Sequence, residues 1–176
     1  MPTSHLEDRF RPPRREAHCR GPAIRVEGSA RIDAPAARVF AFMDCPEHQA
    51  QMTPGLATLG GVRRLPGGGW AARYSYRLAG IGFEGRVRAV EYVPGERVVL
   101  ALSGPLQGLV WWSCVPEGPD TLLTCGAEFT LPPALLRGVA GDYFHGHSER
   151  ELGAVLAYLQ DRLPGVVWGR QARAPR

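Results

Sequence analysis

Apolar Ile24, Val26, Ala30 and Ile32 share one face of an alternating stretch, whereas Val39, Phe40 and Met43 fall on one helical stripe. The hydrophobic period changes from about 2 to about 3.6 at Pro35, which predicts a strand running directly into an amphipathic helix. Pro35 suits the first helical turn, where its missing N–H has no intrahelical partner in any case, and the Asp33 carboxylate lies near the positive end of the helix. Asp44, Cys45 and Pro46 then break the pattern. PEHQAQM reads as a second short helix ending before Pro54 and Gly55.

From Leu56 onward the period is that of strands. Trp70, Ala72, Tyr74, Tyr76 and Leu78 point one way while Arg73, Ser75 and Arg77 point the other, as in a half-buried antiparallel strand. After a turn at Gly80, Phe83, Gly85, Val87 and Ala89 repeat the alternation against Glu84, Arg86 and Arg88. Turns at Pro94 to Glu96, Ser103 to Pro105 and Glu117 to Asp120 separate three more strands, the last carrying Leu123, Cys125, Ala127 and Phe129 on one face. Pro132 and Pro133 end the sheet. Ala134 to Leu163 reads as one long helix with a stripe of Leu152, Val155, Leu156, Leu159 and Leu163. Rotating back along the line of Leu152 and Leu156 brings Gly141, His145, Ser148 and Glu149 onto the same face. A stripe that passes from leucine to glycine, histidine and glutamate predicts a core giving way to a cavity.

Composition bounds what this fold is for. The chain has 176 residues, enough for one domain with its own core and without disulfides or a metal. Cys19, Cys45, Cys114 and Cys125 form no C-x-x-C pair, so reduced thiols in a cytoplasmic protein are expected. The net charge of +4 sits at the ends. Residues 1–22 hold five Arg and three acids, residues 165–176 hold three Arg and no acid, and the stretch between is close to neutral. The division is therefore a flexible basic arm at 1–22, a folded domain at 23–164 and a flexible basic tail at 165–176, and nucleic acid is not an expected partner. All 21 basic residues are Arg, which closes Schiff-base chemistry at a lysine. Val98 to Pro116 carries no charge but is broken by Ser103, Gly104 and Pro105, so two strands and a turn are predicted rather than stable membrane insertion. The first twenty residues have no apolar run of the secretory type.

One strand, two short helices, six antiparallel strands and a long C-terminal helix make an α+β order. It resembles the helix-grip superfamily of START domains, the birch-pollen allergen and bacterial polyketide cyclase/dehydrase-like (SRPBCC) proteins. The resemblance spans residues 23 to 163 and rests on SARIDAPAARVFAFMDCPE, VEYVPGERVVL, GPDTLLTCGAEFTLP and LGAVLAYLQDRL. It implies a curved seven-stranded antiparallel sheet wrapped around the C-terminal helix and enclosing a pocket for a lipid, quinone or polyketide-like molecule. Gln49, Gln51 and Met52 depart from the pattern, since relatives commonly carry an aromatic residue before the proline and glycine there.

Under that implication the pocket is lined by Trp70, Tyr74, Tyr76, Phe83, Val87, Leu100, Trp112 and Phe129 from the sheet and by Gly141, His145, Ser148 and Glu149 from the helix. The leading expectation is a non-catalytic protein that binds or transports a small hydrophobic or amphipathic ligand, with no cofactor. The alternative is a polyketide cyclase, aromatase or dehydratase in which His145, Tyr76 and Glu149 perform general acid/base work. A third is a protein-interaction module acting through the basic ends. No metal site is expected, because His145 and His147 lie about 200° apart on a helix. Gly67, Gly68 and Gly69 lie between strands and form a loop rather than a phosphate cradle.

Overall fold

The computed structural model describes residues 23–135 and 140–164. Strand β1 (Ala23–Ile32) leads into helices α1 (Ala36–Met43) and α2 (Pro46–Met52). Six strands follow: β2 (Leu56–Arg64), β3 (Trp70–Leu78), β4 (Ile81–Val93), β5 (Arg97–Ser103), β6 (Gln107–Glu117) and β7 (Asp120–Thr130). A single 3-10 turn at Pro133–Leu135 precedes α3 (Ala140–Arg162). The strands form one antiparallel sheet in the order β1-β7-β6-β5-β4-β3-β2, so the first strand closes against the last. This is the helix-grip arrangement, with α3 lying across the inner face.

The alternation places the core. Trp70, Ala72, Tyr74 and Leu78 of β3 are buried while Arg73 and Arg77 face solvent. Val98 and Leu100 of β5 join Trp112 and Cys114 of β6 and Leu123, Cys125 and Phe129 of β7 in the same core, along with Val155 and Leu159 of α3. The ladder slips between Ala89 and Glu91, and twice in β2, and such bulges bend a sheet. Helix α3 comes close to β1 at Gly28, where a Cβ would stand 3.1 Å from Leu156 Cδ1. On the opposite face Val99, Leu109 and Trp111 form a second, smaller cluster. There the Arg25 guanidinium lies 5.3 Å from the Trp111 ring centre and is held by Glu128 at 2.9 Å.

Local chemistry explains the joints. Thr121, fully buried, donates its hydroxyl to the Ala34 carbonyl at 2.7 Å and ties the β1–α1 junction to β7. Pro35 is the N-cap residue rather than a member of the first turn, and no side chain caps α1. At the far end of α1, Asp44 accepts hydrogen bonds from Tyr92 at 3.1 Å and Arg64 at 3.0 Å, joining the helices to β2 and β4. The two-residue turn between β3 and β4 places both Ala79 (φ 51°) and Gly80 (φ 86°) in the left-handed region. Such a turn favours Asn-Gly, so Ala79→Asn is expected to stabilise the fold by about 1 kcal/mol, read as a rise in the urea midpoint.

The expected helix from Ala134 begins later than the sequence implies. Pro133–Leu135 forms a 3-10 turn and α3 starts at Ala140, with residues 136–139 outside the described residues. Consecutive prolines at 132 and 133 remove two backbone donors, and Pro133 disfavours helical geometry in the residue before it. The basic arm at 1–22 and the tail at 165–176 also lie outside the described residues. None of the described helices is long and apolar enough to cross a membrane.

Candidate ligand cavity and its polar wall

The inner face of the sheet and helices α1, α2 and α3 line a partly open cavity of about 200 Å³. Its walls are mainly apolar: Val26, Val87, Leu100, Val110, Ala127 and Phe129 from the sheet, with Leu152 and Val155 from α3. Trp70, Tyr74, Tyr76 and Trp112 also line the sheet side, in keeping with their inward register, and Ser148 lies on the helix side. Phe83 is buried in the core without reaching the cavity lining.

Three of the expected helix residues lie elsewhere. His145 and Glu149 pair with each other at 3.3 Å with side chains 46% and 62% exposed, and neither lines the cavity. Gly141 is also absent from the lining, and a Cβ there would meet nothing within 4 Å. The reason is helix phase. Leu152 and Leu156 are only partly buried and border the approach to β1, whereas the buried line runs through Phe144, Ser148, Val155 and Leu159. Stepping back from Leu156 by seven and by eleven residues reaches Glu149 and His145 on the exposed side of α3, whereas stepping back by four from Leu152 reaches buried Ser148 and Phe144. The signal for the right phase was in the sequence: stepping back by four from Leu159 and Val155 reaches Glu151 and then His147.

Glu151 is the functional candidate that the sequence reading missed. Its carboxylate lines the cavity and accepts a hydrogen bond from the Tyr76 hydroxyl. His147 Nε2 stands 3.9 Å from the other carboxylate oxygen and accepts the Ala79 backbone N–H at 3.3 Å, so in this arrangement the ring proton is on Nδ1. Gly55 makes the pair possible. A Cβ at that position would run into the Tyr76 ring, the Arg77 carbonyl at 2.5 Å and Glu151 Oε1 at 2.7 Å. Ser148 donates to the Phe144 carbonyl at 2.9 Å, and buried Gln49 donates to the Met43 carbonyl at 2.6 Å, so both of these cavity residues are satisfied internally.

Three polar atoms packed behind the cavity wall, with no surface open to the cavity, are not satisfied. Trp70 Nε1, Trp112 Nε1 and the Tyr74 hydroxyl are buried with no hydrogen-bond partner among the described residues. Tyr74 lies over Gly85, its oxygen 2.5 Å from where a Cβ would stand. Burial pushes the Tyr74 phenol up to about 12. Tyr76 is held well above the usual phenol range, first by burial and then by the hydrogen bond and charge of Glu151. A folded-state value above the unfolded one, about 10, gives stability that is complete below that pH and lost as pH rises through the folded value. Alkaline titration followed by phenolate absorbance is therefore expected to leave Tyr74 and Tyr76 protonated at pH ~11, and Tyr74→Phe to flatten the alkaline loss of stability.

Cys114 and Cys125 are buried and free, two residues out of register across the β6–β7 ladder. Among the described residues no three His, Cys, Asp or Glu side chains gather to hold a metal ion.

The fold recurs in solved structures. TTHA0849 from Thermus thermophilus is 19% identical with a TM-score of 0.68, covering 81% of this chain and 97% of that one. A START superfamily protein from Mycobacterium smegmatis is 16% identical with a TM-score of 0.66, covering 79% and 96% of the two chains. The Zhui aromatase/cyclase from a Streptomyces species is 18% identical with a TM-score of 0.65, covering 80% and 93%. At these identities the likeness is one of fold. No curated protein matches the chain. Residues 23–160 match the model of one family, described as polyketide cyclase / dehydrase and lipid transport, and the chain belongs to that family within the START-like SRPBCC superfamily.

Proposed function

We propose that the protein binds and carries a small apolar molecule in the cavity between the sheet and α3. The observation that carries this reading is the apolar cavity itself, about 200 Å³ between the sheet and α3. Protein interiors close most gaps larger than a water molecule, so an apolar space of this size is a feature the sequence maintains. Each 100 Å² of apolar ligand surface buried there contributes about 2.5 kcal/mol before the cost of association. The family's description, which includes lipid transport, supports the same reading. The test is mass spectrometry of protein purified without denaturant. A neutral apolar molecule released on unfolding is expected, and protein that is always empty and takes up no apolar probe would sink the proposal.

A second reading has one observation in its favour, the Tyr76–Glu151 pair on the cavity wall with His147 behind it. In a cyclase or dehydratase of the polyketide type, the Glu151 carboxylate takes a proton from the carbon beside a carbonyl, and the Tyr76 hydroxyl hydrogen-bonds the oxygen where charge develops. Glu151→Gln then lowers turnover by about 10²–10⁴-fold while ligand affinity holds within about threefold. Loss of binding with no turnover to lose leaves the carrier reading.

A further inference from the structure

The charge of the folded domain is divided unevenly. Residues 56–88 hold six Arg and one acid, Glu84, whereas the rest of 23–164 holds seven Arg and 13 acids. The near-neutral total conceals a cationic segment, and the sheet gathers it on one surface. Arg64 pairs with Asp44 at 3.0 Å, and the other five, Arg63, Arg73, Arg77, Arg86 and Arg88, are exposed on the outward face of β2–β4. We propose that this face is a docking surface for an anionic lipid bilayer. Docking there is independent of what the cavity holds.

These arginines lack counter-charge. Outward Arg elsewhere on the sheet are paired, Arg25 with Glu128 at 2.9 Å, Arg31 with Asp120 at 2.8 Å and Arg97 with Glu91 at 2.9 Å. None of the five guanidiniums on β2–β4 has an ion-pair or hydrogen-bond partner among the described residues. Arg73 and Arg86 stand directly opposite each other in the β3–β4 ladder, and Arg63 and Arg88 flank Ala71 in the next row of the same face. Like charges directly opposite destabilise a sheet, so the arrangement calls for anions from outside. Edge protection accounts for Arg63 on the outermost strand. It does not account for the arginines of β3 and β4, which are hydrogen-bonded to strands on both sides.

The shape of the patch selects the partner. Small Gly60, Ala71 and Gly82 lie among the arginines, and a Cβ added at Gly60 or Gly82 would meet nothing within 4 Å. The guanidiniums therefore stand on an open surface rather than around a cleft for one phosphate. A second copy of the chain would be repelled through this face. Trp70, Tyr74, Tyr76, Phe83 and Tyr92 all take the inward register, which leaves no outward ring on these strands for the bases of a single-stranded nucleic acid to stack on. Aliphatic side chains adjoin the patch instead. Of the five large apolar residues exposed among the described residues, Val62, Ile81, Val90 and Val93 belong to β2 and β4. Cationic and exposed aliphatic side chains together suit a headgroup layer, where electrostatic attraction and apolar contact add.

Co-sedimentation of the full chain with vesicles tests the assignment. Phosphatidylcholine vesicles with about 30 mol% phosphatidylglycerol, at about 0.1 M salt, are expected to bind the protein at least about 100-fold more tightly than phosphatidylcholine alone. Each Arg near an anionic surface is worth about fivefold in partition, so Arg73→Gln alone lowers binding about fivefold, and Arg73→Gln, Arg86→Gln and Arg88→Gln together about 100-fold. The control removes the same charge elsewhere, by Arg9→Gln, Arg11→Gln and Arg14→Gln, and is expected to stay within about threefold of the parent. Melting curves check that each variant is folded, as exposed and unpaired positions lead one to expect. Equal binding to the two kinds of vesicle, or an equal loss from the two triple variants, would overturn the proposal. Displacement from anionic vesicles by poly-glutamate or duplex DNA at matched charge would assign the face to an acidic protein or a nucleic acid and overturn bilayer docking.

Discussion

Replacing Trp112 with alanine is expected to destabilise the fold by about 3–5 kcal/mol and to lower Tm on the order of 10 °C. Trp112 is almost completely buried and spans the gap between the β6 ladder and the cavity, so its loss both removes apolar contact and enlarges a space that is already open. The cost of a large-to-small substitution grows with the cavity left behind, and an open neighbour prevents the site from collapsing. Urea denaturation measures the effect, with Val90→Ala on the solvent side of the β4 bulge as the control, expected within about 0.5 kcal/mol of the parent. A Trp112→Ala loss below about 1 kcal/mol would mean that this wall does not support the core.

Ala127→Phe is expected to abolish binding of any aromatic probe, weakening it by about 100-fold, while the protein stays folded. Ala127 sits on the inner face of β7, in register with Val26 on one side and Val110 on the other, and all three line the cavity. The added phenyl ring occupies most of a space suited to one ring or two. Overpacking costs about 1–3 kcal/mol in a dense core, and the existing cavity should place this variant at the low end. Fluorescence titration of the parent and variant checks the loss, and far-UV circular dichroism with a melting curve checks the fold.

The fold was legible because each element carries a periodicity that a single interior enforces. The switch at Pro35, the clean alternation of Trp70 to Leu78 and the turn residues between strands all follow from one buried face per element. The sheet side of the cavity was legible for the same reason, since a strand residue has only two directions to face and Trp70, Tyr74, Val87, Leu100 and Phe129 take the inward one. The helix side was harder. A helix offers a continuum of faces, and phasing α3 on Leu152 and Leu156 rather than on Val155 and Leu159 turns the predicted face toward His145 and Glu149 in place of His147 and Glu151. Nor could local pattern reveal that Gly55, far away in sequence, clears space for Tyr76 to meet Glu151. That contact depends on tertiary approach, which periodicity does not encode.

The most direct measurement is the set of intermolecular NOEs between benzene at saturation and a methyl-labelled sample. A site beneath α3 requires cross-peaks from benzene to the methyl groups of Val87, Leu100 and Val155, which line the cavity, and none to Val62 or Val90, which face solvent. Cross-peaks confined to the solvent-facing valines, or none to the three cavity residues, would contradict binding between the sheet and the helix.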